Sequence, residues 1–141
     1  MASSHLDRGC LLDDVVAPAC HHIFAERGIA VNETTQGVRT RLKDGRAMGF
    51  DLLAIAPDAV IPVLVSRRLD EPILSFFLAR LAQFKEFFPR YADCRVMGAV
   101  IGIDCEEYAR EFAANEGLFV LSHAGDDVFI VNPPEFKPRE W

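Results

Sequence analysis

Apolar residues recur at helical spacing near the start of the chain. Leu12, Val15, Val16, Ala19, Ile23 and Phe24 fall on one broad stripe, which predicts a helix over residues 11–27. Pro18 predicts a kink or a later start, and Gly28 a C-terminal stop. From Ile29 the pattern changes to alternation, clearest in Val38-Arg39-Thr40-Arg41-Leu42, so residues 29–42 read as a strand. Lys43-Asp44-Gly45-Arg46 contains the Asp-Gly pair of a tight hairpin turn and leads into a return strand over 47–56. Pro57-Asp58 turns the chain again into residues 59–66, a nearly unbroken apolar run that suits a sheet covered on both faces.

Asp70, with Pro72 in the first turn, predicts the start of a helix that reaches Phe88 and stops at Pro89. Its apolar face holds Ile73, Leu74, Phe77, Leu78, Leu81, Phe84 and Phe88. Residues 94–103 read as a buried strand, and Asp104 as the cap of a helix over 105–116 that stops at Gly117. Leu118 to Ser122 and Asp127 to Val131 form a hairpin around Ala124-Gly125-Asp126. This order predicts one α/β domain over 1–141, a central mixed β-sheet flanked by helices, with its core in 11–131. The tail 132–141 holds three prolines and should lie extended on the surface, with Trp141 clamping it or meeting another subunit.

Composition narrows the function classes. A chain of 141 residues suits one domain, and a net charge of −6 argues against wholesale coating of nucleic acid while leaving room for a local basic patch. Cys10, Cys20, Cys94 and Cys105 form no CxxC pair, and no apolar leader follows Met1, so the expectation is a cytoplasmic protein with reduced thiols. No apolar run approaches the roughly 20 residues of a membrane helix, so no membrane partner is expected. His21-His22 point about 100° apart on a helix and lack the spacing of a chelating pair. Arg39, Arg41 and Lys43 alternate along one strand face, with Arg46 on the turn and Arg67-Arg68 beyond the third strand. This set is the candidate contact for DNA or RNA, with a solvated strand edge as the alternative. Phe76 and Phe87, on the flank of their helical stripe, are the candidate homodimer face.

Arg46-Ala47-Met48-Gly49-Phe50-Asp51-Leu52-Leu53-Ala54-Ile55, in the order helix, three strands, helix, strand (αβββαβ), resembles the PD-(D/E)XK, or restriction-endonuclease-like, superfamily. Asn32-Glu33-Thr34-Thr35-Gln36, Thr40 to Arg46 and Leu81 to Pro89 are similar to uncharacterised bacterial members; the resemblance runs from about Phe24 to Trp141. It implies a core of that type extended by a C-terminal helix and hairpin. It also implies that Asp51 is the first metal-binding acid, that Leu64 stands where a second acid belongs and Ser66 where a lysine belongs. Glu26 and Gln83 match positions where some members carry helper residues.

An intact set would hold Mg²⁺ between two carboxylates and use the lysine to orient an attacking water. Leucine cannot ligate a metal and serine carries no charge, so Asp51 alone would bind Mg²⁺ weakly. The expectation is a protein that has lost phosphodiester hydrolysis, needs no cofactor, and acts by nucleic-acid binding or assembly. Two alternatives stand beside it. One is a Mg²⁺-dependent nuclease with migrated ligands, Glu33 or Asp58 as the acid and Arg67 or Lys43 as the cation. The other is a structural or interaction protein with no nucleic-acid role.

Overall fold

A computed structural model describes residues 9–141, with side chains from Asp14 onward; Leu12, Cys10 and the segment 1–5 lie outside the described side chains. Helix α1 (Gly9–Ala25) runs through Pro18, which faces solvent, so the proline does not delay the start. Val16, Ala17, Cys20, Ile23 and Phe24 are buried along its inner face. Gly28, at φ 79°, ends it, as only a residue without Cβ does cheaply. The chain continues through β1 (Glu33–Arg41), β2 (Ala47–Ala56), β3 (Ala59–Leu69), α2 (Glu71–Ala82), α3 (Phe84–Phe87), β4 (Arg95–Val96), β5 (Ala99–Cys105), α4 (Glu107–Asn115), β6 (Phe119–Ala124) and β7 (Asp127–Ile130).

Among the described residues these strands form one seven-stranded mixed sheet in the order β1-β2-β3-β5-β6-β7, with β4 paired to β3. The two hairpins at the ends are antiparallel, and the β3-β5 and β5-β6 pairs between them are parallel. Parallel neighbours need crossovers, and α2 and α4 supply them. Helix α1 covers one face with Leu52, Ala54, Ile61, Val63, Val65, Ala99, Ile101 and Phe119. Helices α2, α3 and α4 cover the other, against Phe50, Leu53, Val60, Leu64, Val96, Val100 and Val120. The chain is thus a single α/β domain with its sheet covered on both sides.

The strand predicted from Ile29 begins only at Glu33, and three further boundaries differ from the sequence pattern. The predicted helix over 70–88 breaks at Gln83, and α3 starts afresh. Phe84, Phe87 and Phe88, all beyond the break, are buried. The strand over 94–103 is interrupted at Met97-Gly98, where a Cβ on Gly98 would lie 2.6 Å from both Leu118 Cδ2 and Leu81 Cδ1. Asp104 is not a helix cap. It continues β5, because β3 runs on past Ser66 and pairs Arg68 with Asp104 and Leu69 with Cys105. By contrast Asp70 caps as expected, its Oδ1 accepting the Ile73 N–H at 3.1 Å.

The tail is tied down by specific bonds. Where β7 ends, the buried Asn132 side chain takes over the edge of β6, accepting the Val120 N–H at 2.7 Å and donating to Leu118 O at 3.3 Å. Phe136 packs on Phe119, and the Trp141 N–H reaches Val96 O at 2.8 Å, so Trp141 clamps the tail. Asn132→Ala strands two buried backbone groups at once. The expected result is a loss of about 3 kcal/mol, read as a lowered urea midpoint at unchanged slope.

Candidate functional site

Strand β2 changes character at Asp51. Met48 and Phe50 face α2, whereas beyond Asp51 it is Leu53 and Ile55 that do so, and Leu52, Ala54 and Ala56 turn to α1. The partner strand is irregular at the same level. Gln36 pairs with Leu52 and Val38 with Phe50, while Gly37, at φ 63°, and Asp51 are skipped in the ladder. On the other side, the β2-β3 ladder reaches Leu52–Val63 and stops. The half-buried Asp51 side chain spans the parting strands, its Oδ2 accepting the Val65 N–H at 2.9 Å.

The same irregularity opens a cleft of about 650 Å³ on the β1-β2 hairpin. Gly37, Ala47 and Gly49 give it a floor of small residues, and Arg39, Arg41, Asp51 and Arg80 line its sides. Gly37 leaves real space, since a Cβ there would meet nothing within 4 Å. Arg80 projects from α2, donates to Gly49 O at 2.6 Å, and lies 5.2, 5.1 and 5.6 Å from the rings of Phe50, Phe76 and Phe77. Its Nε has no partner among the described residues. Burial lowers the Arg80 pKa from its ordinary value, and the negative charge of Asp51 partly offsets that. A guanidinium remains charged regardless, so the cleft holds a fixed, partly desolvated cation.

The predicted site residues scatter around this centre. Leu64 is buried against the α2 side, and neither it nor Ser66 is among the residues that line the cleft. Strict alternation would align them, but the ladder ends one rung short of Asp51 and Leu64. Ser66 Oγ bonds along its own strand, donating to Arg68 O at 2.7 Å and accepting the Arg68 N–H at 3.3 Å. Glu26 is exposed and lines a separate pocket with Arg27 and Arg95, and Gln83 is exposed at the α2 C-terminus; neither reaches Asp51's cleft. Glu33 and Asp58 are also exposed and outside it. Among the described residues no three His, Cys, Asp or Glu side chains are grouped to hold a metal ion.

The basic set divides as well. Arg39 and Arg41 line the cleft, while Lys43 is exposed on the turn beside it. Arg46 is committed elsewhere, paired with Asp44 at 2.9 Å and Glu86 at 2.6 Å above the Phe87 ring. The Arg46 backbone N–H, then its guanidinium, hold the Asp44 carboxyl below its usual pKa. Arg67 and Arg68 are exposed at the end of β3, where Arg68 borders another pocket with Asp104, Cys105 and Tyr108. Phe87 is buried and so belongs to no dimer face, leaving Phe76 exposed.

No family model, curated protein or solved structure matches the chain. The site must therefore be read from its own geometry. Arg80 is the residue that sequence reasoning missed; its only signal is a lone cation in the apolar run Leu74 to Leu81. Burial pushes the Cys20 thiol up to about 12, which makes it a core group rather than a nucleophile. His21 is also satisfied, its Nδ1 lying 3.0 Å from Val31 O. Among the described residues no helix is long and apolar enough to cross a membrane.

Proposed function

We propose that this chain is a non-hydrolytic relative of the PD-(D/E)XK nucleases that binds nucleic acid through the cleft on its first hairpin. The reading is supported by one observation above all: three arginines, Arg39, Arg41 and Arg80, converge on the cleft whose single acid is already engaged. Phosphate oxygens suit such a site, because guanidinium N–H groups donate to them in pairs. A cation fares worse there, since it must compete with a backbone N–H for one carboxylate beside a half-buried positive charge.

The rest of the surface fits a limited role. With a net charge of −6, nucleic acid is held only where positive charge is gathered, so contacts are few and the affinity modest. Replacing Arg39 and Arg41 together by Ala is expected to weaken binding of a labelled oligonucleotide and to flatten its log K against log salt slope by about 1.4. Anisotropy titrations at several salt concentrations measure both. In parallel, no cleavage of single- or double-stranded DNA or RNA is expected in Mg²⁺ or Mn²⁺. Cleavage abolished by Asp51→Asn would overturn the non-hydrolytic reading in favour of migrated ligands.

A further inference from the structure

Phe76 is the most exposed large apolar side chain of the described residues, at 66 % of its full accessibility. It does not stand on a bare surface. Its ring lies 5.1 Å from the Arg80 guanidinium, the same group that lines the cleft. A flat, solvent-facing aromatic thus adjoins a recessed cation, with Arg39 and Arg41 across a floor of small residues.

We infer that the cleft takes single-stranded rather than duplex nucleic acid, with Phe76 as a stacking platform for one unpaired base and Arg80 holding an adjacent phosphate. This rests on the proposed binding function and adds the substrate class. Three arguments favour a single strand. The first is shape: Arg80 is enclosed by Phe50, Phe76 and Phe77, and a flexible strand can lower a phosphate to it while the convex backbone of a duplex cannot. Charge gives the second. An acidic protein with three cleft arginines gains little from counterion release, and a single strand presents a lower charge density than a duplex. The third is the exposed ring itself, because stacking on an aromatic needs an open base face, contributes without regard to salt, and tolerates any base.

The test is direct titration of the full chain with fluorescent oligothymidylate and with a mixed-sequence duplex of equal length. The wild type is expected to prefer the single strand. Phe76→Ala should cost about tenfold in oligothymidylate affinity with no change in salt slope, and Phe76→Tyr should restore most of it. The Arg39 and Arg41 replacement should instead change the slope. Because Phe76 is exposed, neither aromatic variant is expected to alter the unfolding midpoint. Binding that prefers the duplex, or binding insensitive to Phe76→Ala, overturns this inference and leaves the broader function standing. Absence of binding to every nucleic acid tested overturns both.

Discussion

Leu64→Glu should destabilise the fold by about 4 kcal/mol at neutral pH, because it removes a buried leucine and places a carboxylate among Leu74, Phe77 and Val100. Leu64 is only 7 % exposed, so little water can reach the new charge. The deficit carries a pH signature. Burial raises the folded-state pKa of the introduced carboxyl above its unfolded value, so the folded form binds the proton more tightly. The variant therefore comes closest to wild type below the ordinary Glu pKa, and its deficit grows as pH rises through the raised value. Denaturant unfolding at acidic and neutral pH, with Leu64→Met as a nearly neutral control, measures this. Adding Ser66→Lys is not expected to create Mg²⁺-dependent cleavage, since neither position lines Asp51's cleft. A stable double variant that cleaves would show that both side chains reach Asp51, contrary to the packing described above.

Phe50→Ala should produce a second large effect, on stability and on binding together. Phe50 is buried, with its ring centroid 6.1 Å from Phe77, 5.5 Å from Phe84 and 6.0 Å from Phe88. Removing it leaves a cavity under three aromatic rings, for which about 4 kcal/mol is expected. Against a typical total of 5–15 kcal/mol, that leaves a marginal domain. The ring also supports the Arg80 guanidinium and immediately precedes Asp51. Phe50→Leu keeps most of the volume but no aromatic face. It should remain folded while losing part of the oligonucleotide affinity, which separates the two roles. If Phe50→Leu binds as tightly as wild type, the aromatic support of Arg80 has no part in binding.

Much of the fold follows from local signals. Asp-Gly at the first hairpin turn, Asp70 before Pro72, and the glycines at 28 and 117 mark ends that the structure keeps, with Gly45 and Gly117 at φ 96° and 90°. These are short-range constraints, decided by one residue's backbone freedom or hydrogen-bonding side chain. The misses are tertiary. Asp104 continues a strand because of its pairing with Arg68, and the strand over 94–103 is interrupted at Gly98, where Leu81 and Leu118 come too close for a Cβ. Neither cause lies within a few residues of its effect.

The site divides along the same line. Arg39 and Arg41 are two apart on one strand, so alternation alone puts them together, and both line the cleft. Asp51 was conspicuous as an acid in an apolar strand. Arg80 was not, because an arginine on a helix is ordinary until the fold carries it to Gly49. Leu64 and Ser66 stay out of the cleft lining for the converse reason: period two holds only while the ladder is regular, and it is irregular at Asp51.

Gly37 has a further consequence for self-association. Strand β1 is a long edge of nine residues, the sort of template on which a second chain can add a strand and begin a growing sheet. The left-handed turn of its backbone at Gly37 interrupts that template near its midpoint, so an incoming strand meets two short stretches instead of one continuous rail. The kink that opens the cleft thereby also guards against runaway strand addition.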